Sequence, residues 1–157
     1  MTITHPTSGQ LERSLSQRVQ ALYRDQLGHQ PSRVSCQLFG EELAIIIEGS
    51  ITQPEQILAQ GGQDSLAKEV RSELDDALQP QLKALIREVL GVNVIDLLSD
   101  AALESGRTGI IVILSETPTV RNPGSIPKAK TKAAPASDQP LSSQPRTMTD
   151  ESVDRAS

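Results

Sequence analysis

The chain has 157 residues, of which 36% are apolar, and a formal net charge of −5. This is a one-domain length with too few apolar residues to bury all of it. Tyr23 and Phe39 are the only aromatic residues and Trp is absent, which excludes the aromatic platforms that stack single-stranded bases. The first 116 residues carry nine basic and sixteen acidic side chains, an acidic balance that repels phosphate backbones and excludes nucleic acid as a partner.

Residues 1–9 are polar, contain Thr, Ser, Pro and Gly, and are expected to fray. Leu11, Leu15, Val19 and Leu22 recur at spacings of four, four and three, the apolar face of an amphipathic helix. Ser8 is placed to cap it and Gly28 to end it, and Pro31 turns the chain into an extended conformation. Val34, Cys36 and Leu38 alternate with Ser35 and Gln37, the pattern of a half-buried strand. After a turn at Gly40, the continuous apolar run 43–47 reads as a central strand covered on both faces. The short connection makes the two an antiparallel hairpin.

Thr52-Gln53-Pro54-Glu55 has the spacing of a capping box, with Pro54 in the first turn where its missing N–H costs nothing. The short helix it opens stops at Gly61-Gly62. Asp64 or Ser65 caps the next helix, whose apolar face is Leu66, Val70, Leu74, Ala77 and Leu78. The pattern is interrupted at Pro80 and resumes with Leu82, Leu85, Ile86 and Val89 up to Gly91. This predicts one kinked helix or two helices meeting near Gln79. Residues 92–98 and 108–114 are a third and a fourth strand, joined by a polar turn over 99–107. The order is α-ββ-α-α-ββ: an α+β, two-layer domain with a four-stranded, mainly antiparallel sheet of two hairpins and helices on one face. The second and fourth strands, the most apolar, should be central.

The domain organisation is therefore a flexible stretch 1–9, a folded domain 10–116, and a Pro/Ser/Ala-rich tail 117–157 that buries too little to order itself. The single Cys36 makes no internal disulfide and fits a reducing cytosol. Residues 1–10 are not a secretory signal, and no apolar run approaches a bilayer span. The expected location is cytoplasmic, with any membrane role that of a peripheral partner. The basic stretch 128–132 reads as solvated tail, since three charges bind anionic lipid weakly.

His5, His29 and Cys36 make no ligand-spaced cluster, so no metal and no cofactor is expected. Cys36 lies on the patterned face of its strand and reads as a structural thiol without a base. Glu69 and Glu73 share a helix face, the solvated one. Arg71 is a candidate anion or partner contact, and a candidate partner of Asp100 or another carboxylate. Ser99 and Asp100, at the expected end of the third strand, are the other candidate contacts, weighed against a local turn in which they bond neighbouring amides. No catalytic residues emerge.

Several of these pieces occur together in one bacterial family. They are Gly28 and Pro31 after the first helix, the hairpin ending at Gly49, and Gly49-Ser50-Ile51-Thr52-Gln53-Pro54-Glu55, which is like the family's Gly-x-Leu-Thr-x-x-Glu. Arg71 in the long helix, Gly91-Val92-Asn93-Val94 and Ser99-Asp100 follow. Over roughly 11–115 the chain resembles the MpsC-like, or YbcI-like, domains. It departs from them at Ile111 and Ile113, where relatives often carry an aromatic, and its tail lies outside the family domain. The resemblance implies an accessory role beside a sodium-translocating, membrane-potential-generating system with links to inorganic-carbon supply, and no enzymatic activity or cofactor. The expected function is that of a non-enzymatic accessory or regulatory protein, a homo-oligomer working with membrane transporter subunits. The alternatives are a small-molecule anion sensor built on Arg71, Ser99 and Asp100, and a hydrolase using Cys36 or a carboxylate.

Overall fold

A computed structural model describes residues 4–128. The first helix, α1, is Ser8–Leu27. Its N-cap is Thr7 rather than Ser8: the Gln10 amide donates to Thr7 Oγ1 at 3.1 Å and the Thr7 amide to Gln10 Oε1 at 2.8 Å, a reciprocal capping box that satisfies two otherwise orphaned donors. Ser8 is buried beneath it. Gly28 closes the helix in the left-handed conformation (φ 67°), where a Cβ would be strained.

The strands β1, Arg33–Phe39, and β2, Glu42–Glu48, form the first hairpin. Two helices follow, α2, Gln53–Gln60, and α3, Asp64–Leu90. The strands β3, Val94–Ala102, and β4, Arg107–Leu114, form the second hairpin. All pairings are antiparallel and the sheet order is β1-β2-β4-β3. The expected α+β architecture is present, with β2 and β4 at the centre.

Two readings of the chain are corrected and one open alternative is decided. Pro80 lies inside a single helix, α3, the first of the two arrangements its interruption allowed. An interior proline costs about 3 kcal/mol, and here Leu78, Leu82, Leu85, Ile86 and Leu90, all buried, hold the helix to the core on both sides of it. Strand β3 runs on to Ala102, four residues past its expected end. Pairing with β4 through Ser99–Ile110 and Asp100–Gly109 satisfies its backbone groups whatever its side chains. And β2 is covered on one face only. Leu43, Ile45 and Ile47 are fully buried against the helices, whereas Ile46 is 43% exposed, so the apolar run 43–47 alternates like a half-buried strand.

The core is built from Leu15, Val19 and Tyr23 of α1, Leu82 and Ile86 of α3, and the inward residues of β2 and β4, among them Leu43, Ile45, Ile110 and Val112. It is extended by residues assigned from sequence to the tail. Val120 and Ile126 are buried in it, flanking a short 3-10 turn at Pro123–Ser125. The Arg121 amide donates to the Pro6 carbonyl at 2.9 Å, the Gly40 amide to the Pro127 carbonyl at 2.7 Å, and the Ser8 amide to Asn122 Oδ1 at 2.9 Å. Residues 117–128 are thus a strap across the start of α1 and the β1–β2 turn. The ordered unit extends beyond 116, and Pro6, Thr7 and Ser8, in the stretch expected to fray, are tied down by hydrogen bonds. The rest of the proposed tail, 129–157 with most of its basic stretch, and residues 1–3 lie outside the described residues.

Candidate functional site

The segment before α2 is anchored first. The Ser50 amide donates to the Gly106 carbonyl at 2.9 Å, and its hydroxyl pairs with that of Thr108 at 2.7 Å. Both side chains are buried. Gly49, just before it, passes close to Ser32: its φ is +66°, and a Cβ there would sit 2.7 Å from Ser32 Oγ, closer than real contacts allow.

This anchoring carries Glu55, in the first turn of α2, into the protein. Glu55 is fully buried and Arg71 of α3 is 4% exposed. Arg71 Nη2 donates to Glu55 Oε2 at 2.6 Å, and the same oxygen accepts from Thr52 Oγ1 at 3.0 Å. Asp75, one turn along α3, places Oδ1 3.5 Å from Arg71 Nη1. Glu55 is therefore not the reciprocal member of a capping box. Thr52 is the N-cap by its backbone, but neither side chain caps the helix. The carboxylate turns inward because Arg71 offers it a charged donor, a stronger partner than a neutral amide.

The centre is incompletely satisfied. Glu55 Oε1 and Arg71 Nε and Nη1 are buried with no hydrogen-bond partner among the described residues. Burial pushes the Asp75 carboxyl up to about 6. The Arg71 guanidinium opposes the rise, and the carboxylates of Glu55, Asp76 and Asp100 add to it. Burial likewise pushes the Tyr23 hydroxyl up to about 12, with Asp75 adding to the effect. Asp75 thus gains or loses a proton close to neutrality, which is the chemical capacity of the cluster.

Arg71, Ser99 and Asp100, singled out from sequence, do meet. They line one cleft of about 310 Å³ with Lys68, Ser72, Asp75 and Asp76. Ser99 and Asp100 lie inside β3, not in a turn after it. Register puts Ser99 on the helix side with Ile110, and Asp100 Oδ1 accepts from the neighbouring Ala101 amide at 2.9 Å. Arg71 pairs with neither. The cleft carries three carboxylates against two basic groups, beside the Glu55 carboxylate, a poor setting for an anion. Glu55 is the site residue that sequence reasoning missed as such. Its signal lay in the Thr-x-x-Glu spacing, which a capping box explains equally well.

Cys36 sits half-buried in β1. Burial pushes its thiol up to about 11, against the Ser16 hydroxyl that bonds it and with Glu12 adding to the rise. It is a protonated thiol at neutral pH, unsuited to attack. His29 is occupied elsewhere, with Nε2 2.7 Å from the Gly49 carbonyl. Among the described residues, no group of three or more His, Cys, Asp or Glu side chains is arranged to hold a metal ion.

A family profile described as a Na+-translocating membrane potential-generating system (MpsC) matches residues 7–116. The chain belongs to the MpsC family. No match was found among curated proteins or among solved structures. The MpsC match takes in the whole of the buried centre, from Tyr23 through Glu55 and Arg71 to Asp100, and ends just before the strap that completes the core.

Proposed function

We propose that this chain is a non-enzymatic accessory or regulatory subunit of a sodium-translocating, membrane-potential-generating system, acting as a cytoplasmic, peripheral partner of membrane subunits. Membership of the MpsC family over residues 7–116 is the observation that carries this reading. Among the described residues, no helix is long and apolar enough to cross a membrane, so these residues would act there through a partner. Among the described residues the buried charged groups, Glu55 and Arg71, are engaged with each other and join α2 to α3. That is a structural use of charge rather than an open reactive one.

The anion-sensing alternative draws less support, because Arg71 is already held by carboxylates and the cleft beside it is acidic. The hydrolase alternative lacks an activated nucleophile in Cys36.

Affinity purification of the tagged full chain from native membranes in mild detergent tests the proposal. A multi-spanning membrane subunit should be retained in stoichiometric amount and lost on detergent denaturation. Recovery of the chain without a membrane partner would overturn it.

A further inference from the structure

The sheet has one face without helices, and its side-chain pattern is self-complementary. Cross-strand register lays the outward residues of β2 and β4 in rows: Glu48 beside Arg107, Ile46 beside Gly109, and Ala44 beside Ile111. None of these six is buried. Ile46 and Ile111 are 43% and 40% exposed, and among the described residues neither Glu48 nor Arg107 has an ion pair within the chain. Three of the four rows therefore pair a large apolar residue with a small one, or a negative charge with a positive one; the fourth, at the end of the face, sets Glu42 beside Ile113.

We propose that this face binds a second copy of the chain, related by a two-fold axis lying between the sheets, parallel to the strands and midway between β2 and β4. Such an axis sets β2 over the partner's β4 and keeps each row opposite itself. Ile46 then descends on the partner's Gly109, Ile111 on the partner's Ala44, and Glu48 meets the partner's Arg107. Each contact occurs twice, as a two-fold interface requires. The isoleucines fill the space that the small residues leave, at the roughly 10 Å spacing of packed sheets.

The charges choose the axis. A two-fold perpendicular to the strands would also set large against small, but it would place Glu48 over the partner's Glu42 and Arg107 over the partner's Ile113. Like charges brought together this way are strongly unfavourable. Four strands about 4.8 Å apart and seven residues at about 3.4 Å each give a face of roughly 19 by 24 Å. This is at the small end for a specific dimer, so the charge rows matter to its affinity and fix its register. The dimer does not depend on the accessory role proposed above.

Paired charge reversals in the full chain test it, with solution mass followed over a concentration series by sedimentation equilibrium. Wild type should reach twice the 16.9 kDa chain mass. Glu48→Arg sets Arg against Arg107 across the interface, and Arg107→Glu sets Glu against Glu48. Each alone should raise the dissociation constant by at least about tenfold. Mixed in equal amounts, the two variants should form a heterodimer at wild-type affinity, because every facing pair is then opposite in sign. That recovery also shows that both variants fold. A monomeric wild type, reversals that self-associate like wild type, or a mixture that stays monomeric would each overturn the proposal.

Discussion

Arg71 Nη2 donates to Glu55 Oε2 at 2.6 Å, and both side chains are buried, so α2 and α3 are joined by a buried charge pair. Removing one partner leaves the other charged and unpaired in a dry site. Arg71→Met should therefore destabilise the chain by about 3–5 kcal/mol. Glu55→Leu combined with Arg71→Met should recover much of that loss, since neither charge then remains. Urea denaturation of the two variants and wild type measures both effects. A double variant no more stable than Arg71→Met would contradict the pairing.

The Asp75 carboxyl, raised from 3.8 to about 6, makes stability depend on pH. The native state holds the proton more tightly than the unfolded chain. Its contribution is therefore fully present below the unfolded value and is lost as pH rises through about 6. Relative to Asp75→Asn, wild type should lose on the order of 2 kcal/mol between about pH 4 and pH 7. Denaturation curves of both proteins across that range give the difference directly. A difference that stays flat, or rises with pH, would refute the assigned shift.

The Cys36 thiol, raised from 9.0 to about 11, should react slowly with a disulfide reagent. A rise of that size lowers the thiolate fraction about a hundredfold at mildly alkaline pH. Native protein should be labelled slower by at least that factor than protein in denaturant. Equal rates would show that β1 and α1 do not enclose the thiol.

The strap should contribute to stability. Val120 and Ile126 are 7% and 4% exposed, and full burial of such side chains is worth about 1.5–3 kcal/mol each. A chain ending at Glu116 should be less stable than one ending at Lys128 by roughly 3 kcal/mol or more. Thermal melts of the two truncations would reveal the difference, and coincident melts would place the strap outside the folding unit.

Much of this was legible in the chain. The 3.6-residue periodicity of Leu11, Leu15 and Val19 and the β-branched run before Glu48 identify their elements by themselves, because burial of one face demands those spacings. Glycines at 28, 49 and 91 mark turns for the same local reason. Reading failed where a partner distant in sequence supplied the deciding interaction. Ser99 and Asp100 look like a turn until β4 offers them a ladder. Pro80 leaves one helix or two undecided until core residues on both sides hold one helix together. Val120 and Ile126 look too sparse to fold until a groove formed by other elements receives them.

The sequence by itself determined the element types, their order, the central place of β2 and β4, and the family, since each follows from local spacing or from motifs in order. Only the tertiary structure decided that Glu55 turns inward to Arg71, that Arg71, Ser99 and Asp100 share a cleft, and that one sheet face stays open. Those outcomes depend on which surfaces meet in space. A carboxylate's choice between a nearby amide and a distant guanidinium is settled by burial and charge, neither of which is written in the spacing of a single segment.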